Sequence, residues 1–354
     1  MTTFYSVIMF GLLLAVFIGL AMPFYGKHTD FDLPIDCKVG QDCFIQNYVD
    51  LNAAEGEWQD YTCGPLSYDG HKGTDFRLKN LVHMEQGVNV LASANGKVRA
   101  IRDGMPDDYY YNLPPELLAD KECGNGVVIV HEKGYETQYC HLKEGSVQVK
   151  EGQRVSAGDV LGQVGMSGQT EFPHLHFSLR KEDAVIDPFS GPMETTRCGD
   201  VATSLWSESA QKSVAYKSTG LLSYGFTTRV PKDVDVRAGK HSRTLIRPED
   251  DAIIFWADAF GVREGDMMVM QLFSPEGEQL VNYDQTFESN LAQAFNFIGK
   301  KRKDQPWPEG IYTAHYIVER PEFQARPIRL VEHMTRIEVM SEENESQREE
   351  AQAN

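Results

Sequence analysis

The sequence predicts an all-β protein, in which an antiparallel β-sheet or barrel-like sandwich domain precedes a C-terminal β-sandwich domain. The first observation is length, because 354 residues exceed one ordinary domain and suit two. The second is patterning: short apolar segments separated by glycine-containing turns recur with almost no helical periodicity. The third is composition, since 41% hydrophobic and 24% charged residues are typical of a globular protein that can build a core.

The chain opens with an uncharged apolar run from Phe4 to Phe24. Such a run has the length of a signal-peptide core or of a membrane anchor. Small residues at Gly19 and Ala21 favour cleavage near Ala21, with an uncleaved single span as the alternative. We therefore predict that residues 1–21 are a signal peptide or N-terminal anchor. Both interpretations make the rest of the chain periplasmic or secreted, and the second tethers it to the inner membrane.

Cysteine usage agrees with export. The chain has six cysteines, all before residue 200, and an even number in an exported chain predicts disulfides. The short loop between Cys37 and Cys43 makes a bond between these two our prediction, and the pairing of the other four stays open. These four are Cys63, Cys123, Cys140 and Cys198.

Within the first domain, the segments alternate between strands and turns. Residues 22–62 are predicted to be a loop-rich N-terminal segment, followed by a domain at 63–197. The segment Gly96–Arg102 shows the period-2 alternation of a strand. Gly126–His131 and Tyr135–His141 flank a Glu-Lys-Gly turn and predict a β-hairpin.

The remaining segments are an insertion, a linker, a second domain and a tail. Residues 103–122 are predicted to be a surface insertion and residues 198–218 a linker. Residues 219–340 hold strand-like segments about ten residues apart, which indicates a β-sandwich. The tail at 341–354 is acidic and lacks aromatic residues, so we expect it to be disordered.

Five residues of the 63–197 domain stand in three short, glycine-flanked segments: His71 and Asp75, then His141, then His174 and His176. If the last two lie on a strand, residues two apart point to the same side and both imidazoles face one surface. Catalytic zinc typically takes three protein ligands from His nitrogen and carboxylate oxygen and leaves one position for water. The set therefore indicates a zinc site that activates water for hydrolysis.

These segments resemble the signatures of the lysostaphin-type (LytM-like) zinc endopeptidases. The family has an HxxxD segment, an isolated His followed by Leu, and a late HLHF segment. Here they occur in the same order as His71-Lys72-Gly73-Thr74-Asp75, Tyr139-Cys140-His141-Leu142 and His174-Leu175-His176-Phe177. The resemblance covers roughly residues 65–190.

The resemblance implies that His71, Asp75 and His176 bind Zn²⁺, and that His141 and His174 activate water and stabilise the transition state. It also implies an antiparallel β domain with a narrow groove, and hydrolysis of the peptide cross-links of bacterial peptidoglycan by a metal-activated water. No ligand position is substituted. The insertion and the cysteines beside the site depart from the family's pattern, which leaves substrate preference open.

Other interpretations stay open beside this one. The chain could be a non-catalytic peptidoglycan-binding regulator with the same fold. A serine hydrolase around Ser167 lacks the GxSxG spacing, and a lipoyl-like carrier lacks a suitably placed lysine. The formal net charge of −18 argues against a nucleic-acid partner, because phosphate binding needs clustered Lys and Arg. The bond that is cut and the role of residues 219–340 are not predicted.

Overall fold

The computed structural model describes residues 30–192, 196–200, 204–322 and 325–353. The predicted signal peptide or anchor at 1–21 and the predicted membrane tether lie outside these residues. Within the described ranges, no helix is both long and apolar enough to cross a membrane.

The described part of the chain before residue 200 is built mainly on one antiparallel sheet. Its strands and the pair beside it are β1 (Cys43–Asn47), β2 (Thr74–Leu78), β3 (Asn89–Leu91), β4 (Gly96–Arg102), β5 (Asn125–Val130), β6 (Tyr135–Leu142), β7 (Arg154–Val155), β8 (Val160–Gln163), β9 (His174–Lys181), β10 (Ala184–Asp187) and β11 (Gly191–Pro192). The strands lie in the order β1-β2-β9-β6-β5-β4-β7, with β10 beside β9 and β11 beside β10, while β3 pairs with β8. The predicted hairpin is confirmed as β5–β6, and β4 has the predicted bounds.

The two faces of β2 and β9 separate apolar from polar side chains. Phe76, Leu175 and Phe177 are fully buried in the first hydrophobic core. Successive residues of a strand point to opposite faces, so Asp75 and His176, which are paired in register, point away from that core. The strand pattern thus brings the polar side chains of two distant segments together on one face.

The second part of the chain is a β-sandwich, as predicted. Its strands are β12 (Gly220–Thr227), β13 (Leu245–Ile246), β14 (Ala252–Val262), β15 (Met267–Phe273), β16 (Gln279–Thr286), β17 (Leu291–Lys301), β18 (Gly310–Arg320) and β19 (Ile328–Val339). They form one sheet of order β12-β14-β17 and another of order β13-β19-β18-β15-β16. Phe255, Met270 and Tyr316 are among the buried residues of a second core between them. Together the sheets confirm the all-β fold class.

Short helices connect these elements. They are α1 (Leu81–Gln86), α2 (Pro115–Leu118), α3 (Glu208–Ser213), α4 (Asp233–Arg237) and α5 (Glu342–Ala353). The insertion at 103–122 contains α2 and a short 3₁₀ turn at Tyr110–Asn112.

The two cores are in contact. Leu222 and Phe260 of the sandwich belong to the first core, and the rings of Phe44 and Phe260 lie 5.9 Å apart. The predicted linker at 198–218 packs as well, since Trp206 and Ala210 are buried in the first core. The described part of the predicted loop-rich segment contributes β1, which pairs with β2.

Three disulfides stabilise the first part of the chain. The predicted bond between Cys37 and Cys43 is confirmed. The other bonds join Cys63 to Cys198, across 135 residues, and Cys123 to Cys140. The bond between Cys63 and Cys198 joins the beginning of the predicted 63–197 domain to the residue just after its end.

The expectation of disorder at 341–354 is wrong for Glu342–Ala353, which form α5. Three glutamates occupy the first turn, where the helix dipole favours negative charge. Arg247 forms an ion pair with Glu345, and Arg348 lies 2.7 Å from Glu338. Composition alone did not reveal these partners.

Candidate metal centre

Three of the predicted residues converge on one point beside β2 and β9. The Nε2 atom of His71 lies 3.2 Å from Oδ1 of Asp75 and 3.1 Å from Nδ1 of His176. That Nδ1 atom lies 2.8 Å from the same carboxylate oxygen. The three atoms form a triangle small enough for all of them to bind one metal ion.

The backbone before β2 orients the first ligand pair. Nδ1 of His71 lies 2.7 Å from the carbonyl oxygen of Tyr48. A carbonyl can only accept, so this nitrogen carries the proton and Nε2 presents a lone pair. The side-chain amide of Asn47 donates to Oδ2 of Asp75 at 3.0 Å, which leaves Oδ1 directed at the histidines.

A second chain of hydrogen bonds orients His176. The Ser178 hydroxyl donates to the carbonyl of Lys72 at 2.8 Å, and its oxygen lies 3.0 Å from Nε2 of His176. Since the hydroxyl proton is used, Nε2 donates to it and Nδ1 keeps its lone pair. A Cβ at Gly73 would lie 2.6 Å from this imidazole, so only glycine leaves room for the ring. Both histidines therefore present an acceptor nitrogen to the same point.

The donor set suits zinc. Neutral imidazole nitrogens and a carboxylate oxygen are typical zinc ligands, and three such ligands leave a fourth position open. His71 and Asp75 are each 2% exposed, so a bound ion would be shielded from solvent on their side. Each histidine also has an orienting partner, as metal-binding histidines usually do.

His141 and His174 lie next to this triangle. Their ring centroids are 4.6 Å apart, and Nε2 of His174 is 3.7 Å from Oδ1 of Asp75. Nδ1 of His141 donates to the carbonyl of Ser167 at 2.8 Å, and Nδ1 of His174 donates to the carbonyl of Phe172 at 2.9 Å. In both rings Nε2 is therefore free to accept a proton.

The backbone of His141 adopts an unusual conformation. Its φ angle is +61°, in the left-handed region that non-glycine residues rarely occupy. The residue lies where the register between β5 and β6 shifts, which is the mark of a β-bulge. Its N–H donates to the carbonyl of Cys123 at 2.8 Å, and Cys123 is disulfide-bonded to Cys140. These contacts hold the bulge that turns the His141 ring towards the site.

Burial and local charge set the protonation states of the group. Burial raises the pKa of Asp75, but the nearby His71 and His174 and hydrogen bonds outweigh it and hold that pKa well below its usual range. Burial, followed by the proximity of His174 and His176, lowers the pKa of His141 well below its ordinary value. Burial also lowers the pKa of His174, although Asp75 opposes the shift. Asp75 is thus ionised and both histidines are neutral at pH 7.

Two further side chains at the site were missed by the sequence analysis. Tyr68 is half-exposed, and its ring centroid lies 4.4 Å from that of His71. Burial and the charge of Asp75 raise the pKa of Tyr68, so its hydroxyl stays protonated. The Thr170 hydroxyl lies 3.0 Å from Nδ1 of His174. Neither residue belongs to a motif, and no local pattern marked them.

Ser167 is not arranged as a nucleophile. It is fully buried, its hydroxyl donates to the carbonyl of Leu142 at 2.7 Å, and it accepts from the N–H of Asn125 at 2.9 Å. Both roles are structural.

The sequence model of Peptidase family M23 matches residues 69–188. The cell division protein DipM of Caulobacter vibrioides is 36% identical over 123 residues, 34% of this chain and 17% of that protein. The peptidoglycan DD-endopeptidase ShyA of Vibrio cholerae is 37% identical over 109 residues, 31% of this chain and 20% of that protein. The DD-carboxypeptidase/endopeptidase Mpg of Neisseria meningitidis is 35% identical over 145 residues, 41% of this chain and 28% of that protein.

This chain thus spans less than a third of the length of each of these relatives. Among solved structures, a putative M23 peptidase from Pseudomonas aeruginosa is 31% identical, with a TM-score of 0.25, over 33% of this chain and 41% of that one. The matched range contains all five residues His71, Asp75, His141, His174 and His176. The match identifies residues 69–188 of this chain as a Peptidase family M23 domain.

Proposed function

We propose that this protein is a zinc-dependent endopeptidase that hydrolyses peptide cross-links of bacterial peptidoglycan. The observation that carries the proposal is the convergence of His71, Asp75 and His176, each held in the state that can bind a metal. The substrate class is supported by relatives that are themselves peptidoglycan DD-endopeptidases.

In this proposal His71, Asp75 and His176 hold Zn²⁺, which supplies Lewis-acid activation of a water molecule and of the peptide carbonyl. His141 and His174 accept and transfer protons. Their Nδ1 protons are engaged by backbone carbonyls, so Nε2 is the atom at which either ring takes up a proton from the attacking water. Because burial disfavours the charged imidazolium, the ring readily passes that proton to the leaving amine.

Tyr68 has a separate part in this scheme. Its hydroxyl stays protonated and borders the exposed side of the site. It can therefore donate a hydrogen bond to the oxygen that gains negative charge as the carbonyl is attacked.

We also propose that the protein works outside the cytoplasm, in the periplasm or as a secreted form. Three disulfides support this location, since such bonds persist in oxidising compartments. The apolar run at the start of the chain supports export, with a tether to the inner membrane as the alternative to cleavage.

The test is zinc content and muropeptide cleavage by the purified protein beside two variants. His176→Ala should lose both zinc and cleavage, whereas His83→Ala, which removes a histidine of helix α1 outside the site, should keep both. Wild-type protein that binds no zinc would contradict the proposal. Zinc without cleavage would favour the alternative, a non-catalytic peptidoglycan-binding regulator.

A further inference from the structure

A small cavity of about 60 Å³ lies where β2, the insertion at 103–122 and the sandwich meet. All three parts contribute to its wall, which includes Arg77, Lys79, Tyr109, Phe172, Arg237 and Gln293. The cavity has room for a few water molecules or a carboxylate group.

The wall of this cavity is cationic. Arg77, Lys79 and Arg237 line it, and Glu171 is the acidic residue among the lining side chains. Glu171 is exposed, so water screens its charge. Carboxylates outside the wall balance part of this charge, since Lys79 lies 4.0 Å from Asp42 and Arg237 lies 3.4 Å from Asp233. Arg77 has no ion pair within 4.0 Å among the described residues, and in a chain with a formal net charge of −18 such a buried cation at a cavity wall indicates a site for an anion.

Two of these cations, Arg77 and Arg237, also have a side-chain donor without a hydrogen-bond partner among the described residues. Arg77 is 2% exposed; its Nη1 donates to Gln46 and Gln293, but its buried Nε has no hydrogen-bond partner. The buried Nε of Arg237 has none either, and lies 3.7 Å from Asp258. Buried donors without partners leave the charge of both guanidinium groups incompletely compensated, which favours an anion beside the parts of these side chains that line the cavity.

The cavity adjoins the metal centre. Arg77 faces His174 across the β2–β9 register, one same-face position along from the Asp75–His176 pair. Same-face positions on a strand are about 7 Å apart, roughly the span of two residues of extended peptide. The Phe172 ring lies between the two sites, 4.6 Å from the His174 ring and 4.3 Å from the Arg77 guanidinium carbon.

We propose that this cavity binds a free carboxylate of the peptide substrate, one or two residues from the bond that is cut. The inference rests on the proposed function and adds to it a preference for substrates that carry a free carboxylate. Guanidinium groups suit a carboxylate because they offer parallel N–H donors that match its two oxygens. Arg237 is about one-third exposed, so the sandwich supplies the part of the site that an incoming substrate reaches first.

The experiment compares a cross-linked peptide that carries free carboxylates with the same peptide after amidation. Wild-type protein should cleave the free acid with a kcat/KM about tenfold to a hundredfold higher, the usual range for one hydrogen bond to a charged group. Arg237→Gln should bring the two substrates close to equality, chiefly through KM. Arg229→Gln, which removes an exposed arginine of the same sandwich, should keep the preference.

Two results would overturn the inference: equal cleavage of acid and amide by the wild type, or an equal loss for both substrates in Arg237→Gln. If the wild type cleaves neither peptide, the proposed function fails on its own. The cavity is then tested by calorimetric binding of acetyl-D-alanyl-D-alanine and its amide. Tighter binding of the acid that Arg237→Gln abolishes supports the site, and equal binding contradicts it.

Discussion

Asp75 and Asp258 are two carboxylates that are equally buried, at 2% exposed, and both have cationic or titratable neighbours. Burial raises the pKa of each, but the outcomes are opposite. The pKa of Asp75 falls well below its usual range, because His71, His174 and direct hydrogen bonds outweigh burial. The pKa of Asp258 stays raised, although Arg77 and Arg237 pull it down.

The two pKa values differ because the neighbours of Asp75 are in closer contact with its carboxylate, not because they carry more charge. Oδ1 of Asp75 has ring nitrogens at 2.8 and 3.2 Å. Asp75 also accepts a hydrogen bond from the side-chain amide of Asn47 at 3.0 Å. Asp258 accepts a hydrogen bond from Gln293 at Oδ2 and has Arg237 at 3.7 Å, but its buried Oδ1 has no hydrogen-bond partner among the described residues. Close polar contacts replace the lost hydration of a buried carboxylate, whereas more distant charges do so incompletely. The first carboxylate is therefore ready to bind a cation, and the second leaves two arginines only partly neutralised.

The largest effect that tests this comparison is on zinc affinity. Asp75→Asn should weaken zinc binding by at least about a thousandfold, since losing even an outer hydrogen-bond partner of a ligand costs about 10–100-fold. Asp258→Asn removes an equally buried charge and should leave zinc affinity unchanged. Competition with a chromophoric chelator measures both, and equal losses would show that buried charge in general, not contact with the metal, governs affinity.

Asp187 extends the comparison to a carboxyl for which, among the residues that the structure describes, no cation opposes the effect of burial on the pKa. Burial raises the pKa of Asp187 to about 7, despite hydrogen bonds from Ser190 and Phe189. The folded protein thus keeps a proton that the unfolded chain loses near pH 4. Relative to Asp187→Asn, the wild-type free energy of unfolding should fall by up to about 4 kcal/mol as the pH rises from 4 to 7. Denaturant titrations at several pH values measure it; parallel curves for the two proteins would contradict the shift.

The histidines beside the triangle sharpen the distinction between holding metal and moving protons. His141→Gln and His174→Gln should each lower kcat by about a hundredfold while zinc content stays near that of the wild type. The proton acceptor is lost, but the ligands are not. Loss of zinc equal to that in His176→Ala would mean that these rings belong to the metal site itself.

The smallest effect concerns Ser167. Ser167→Ala removes a buried hydroxyl that bonds to Leu142 and Asn125, so the free energy of unfolding should fall by about 1–2 kcal/mol. Cleavage should remain near the wild-type rate. An inactive but folded variant would revive the serine-hydrolase hypothesis.

The sequence was sufficient where a property depended on neighbouring residues. The alternation of β9 places His174 and His176 on one face, and the hairpin β5–β6 follows from its turn. Cys37 and Cys43 are close enough in the chain for proximity to indicate their bond. The three histidine segments were recognisable for the same reason, as short local patterns.

The sequence was not sufficient where distant segments meet. Arg77 looks like an ordinary strand residue, and only the packing of the sandwich against β2 shows that Gln293 binds it. β1 is short and lies in a segment without a clear pattern, so its pairing with β2 was not expected. The supporting contacts of Asn47 and Ser178 depend on that assembled sheet.

The bond between Cys63 and Cys198 changes how the chain carries mechanical load. When the protein is pulled from its two ends, tension passes from one sulfur to the other and bypasses the intervening residues. The 135-residue separation removes roughly 450 Å of extended contour from the stretch. β2 and β9 lie inside this covalent loop, so the tension does not run through the backbone that carries His71, Asp75 and His176.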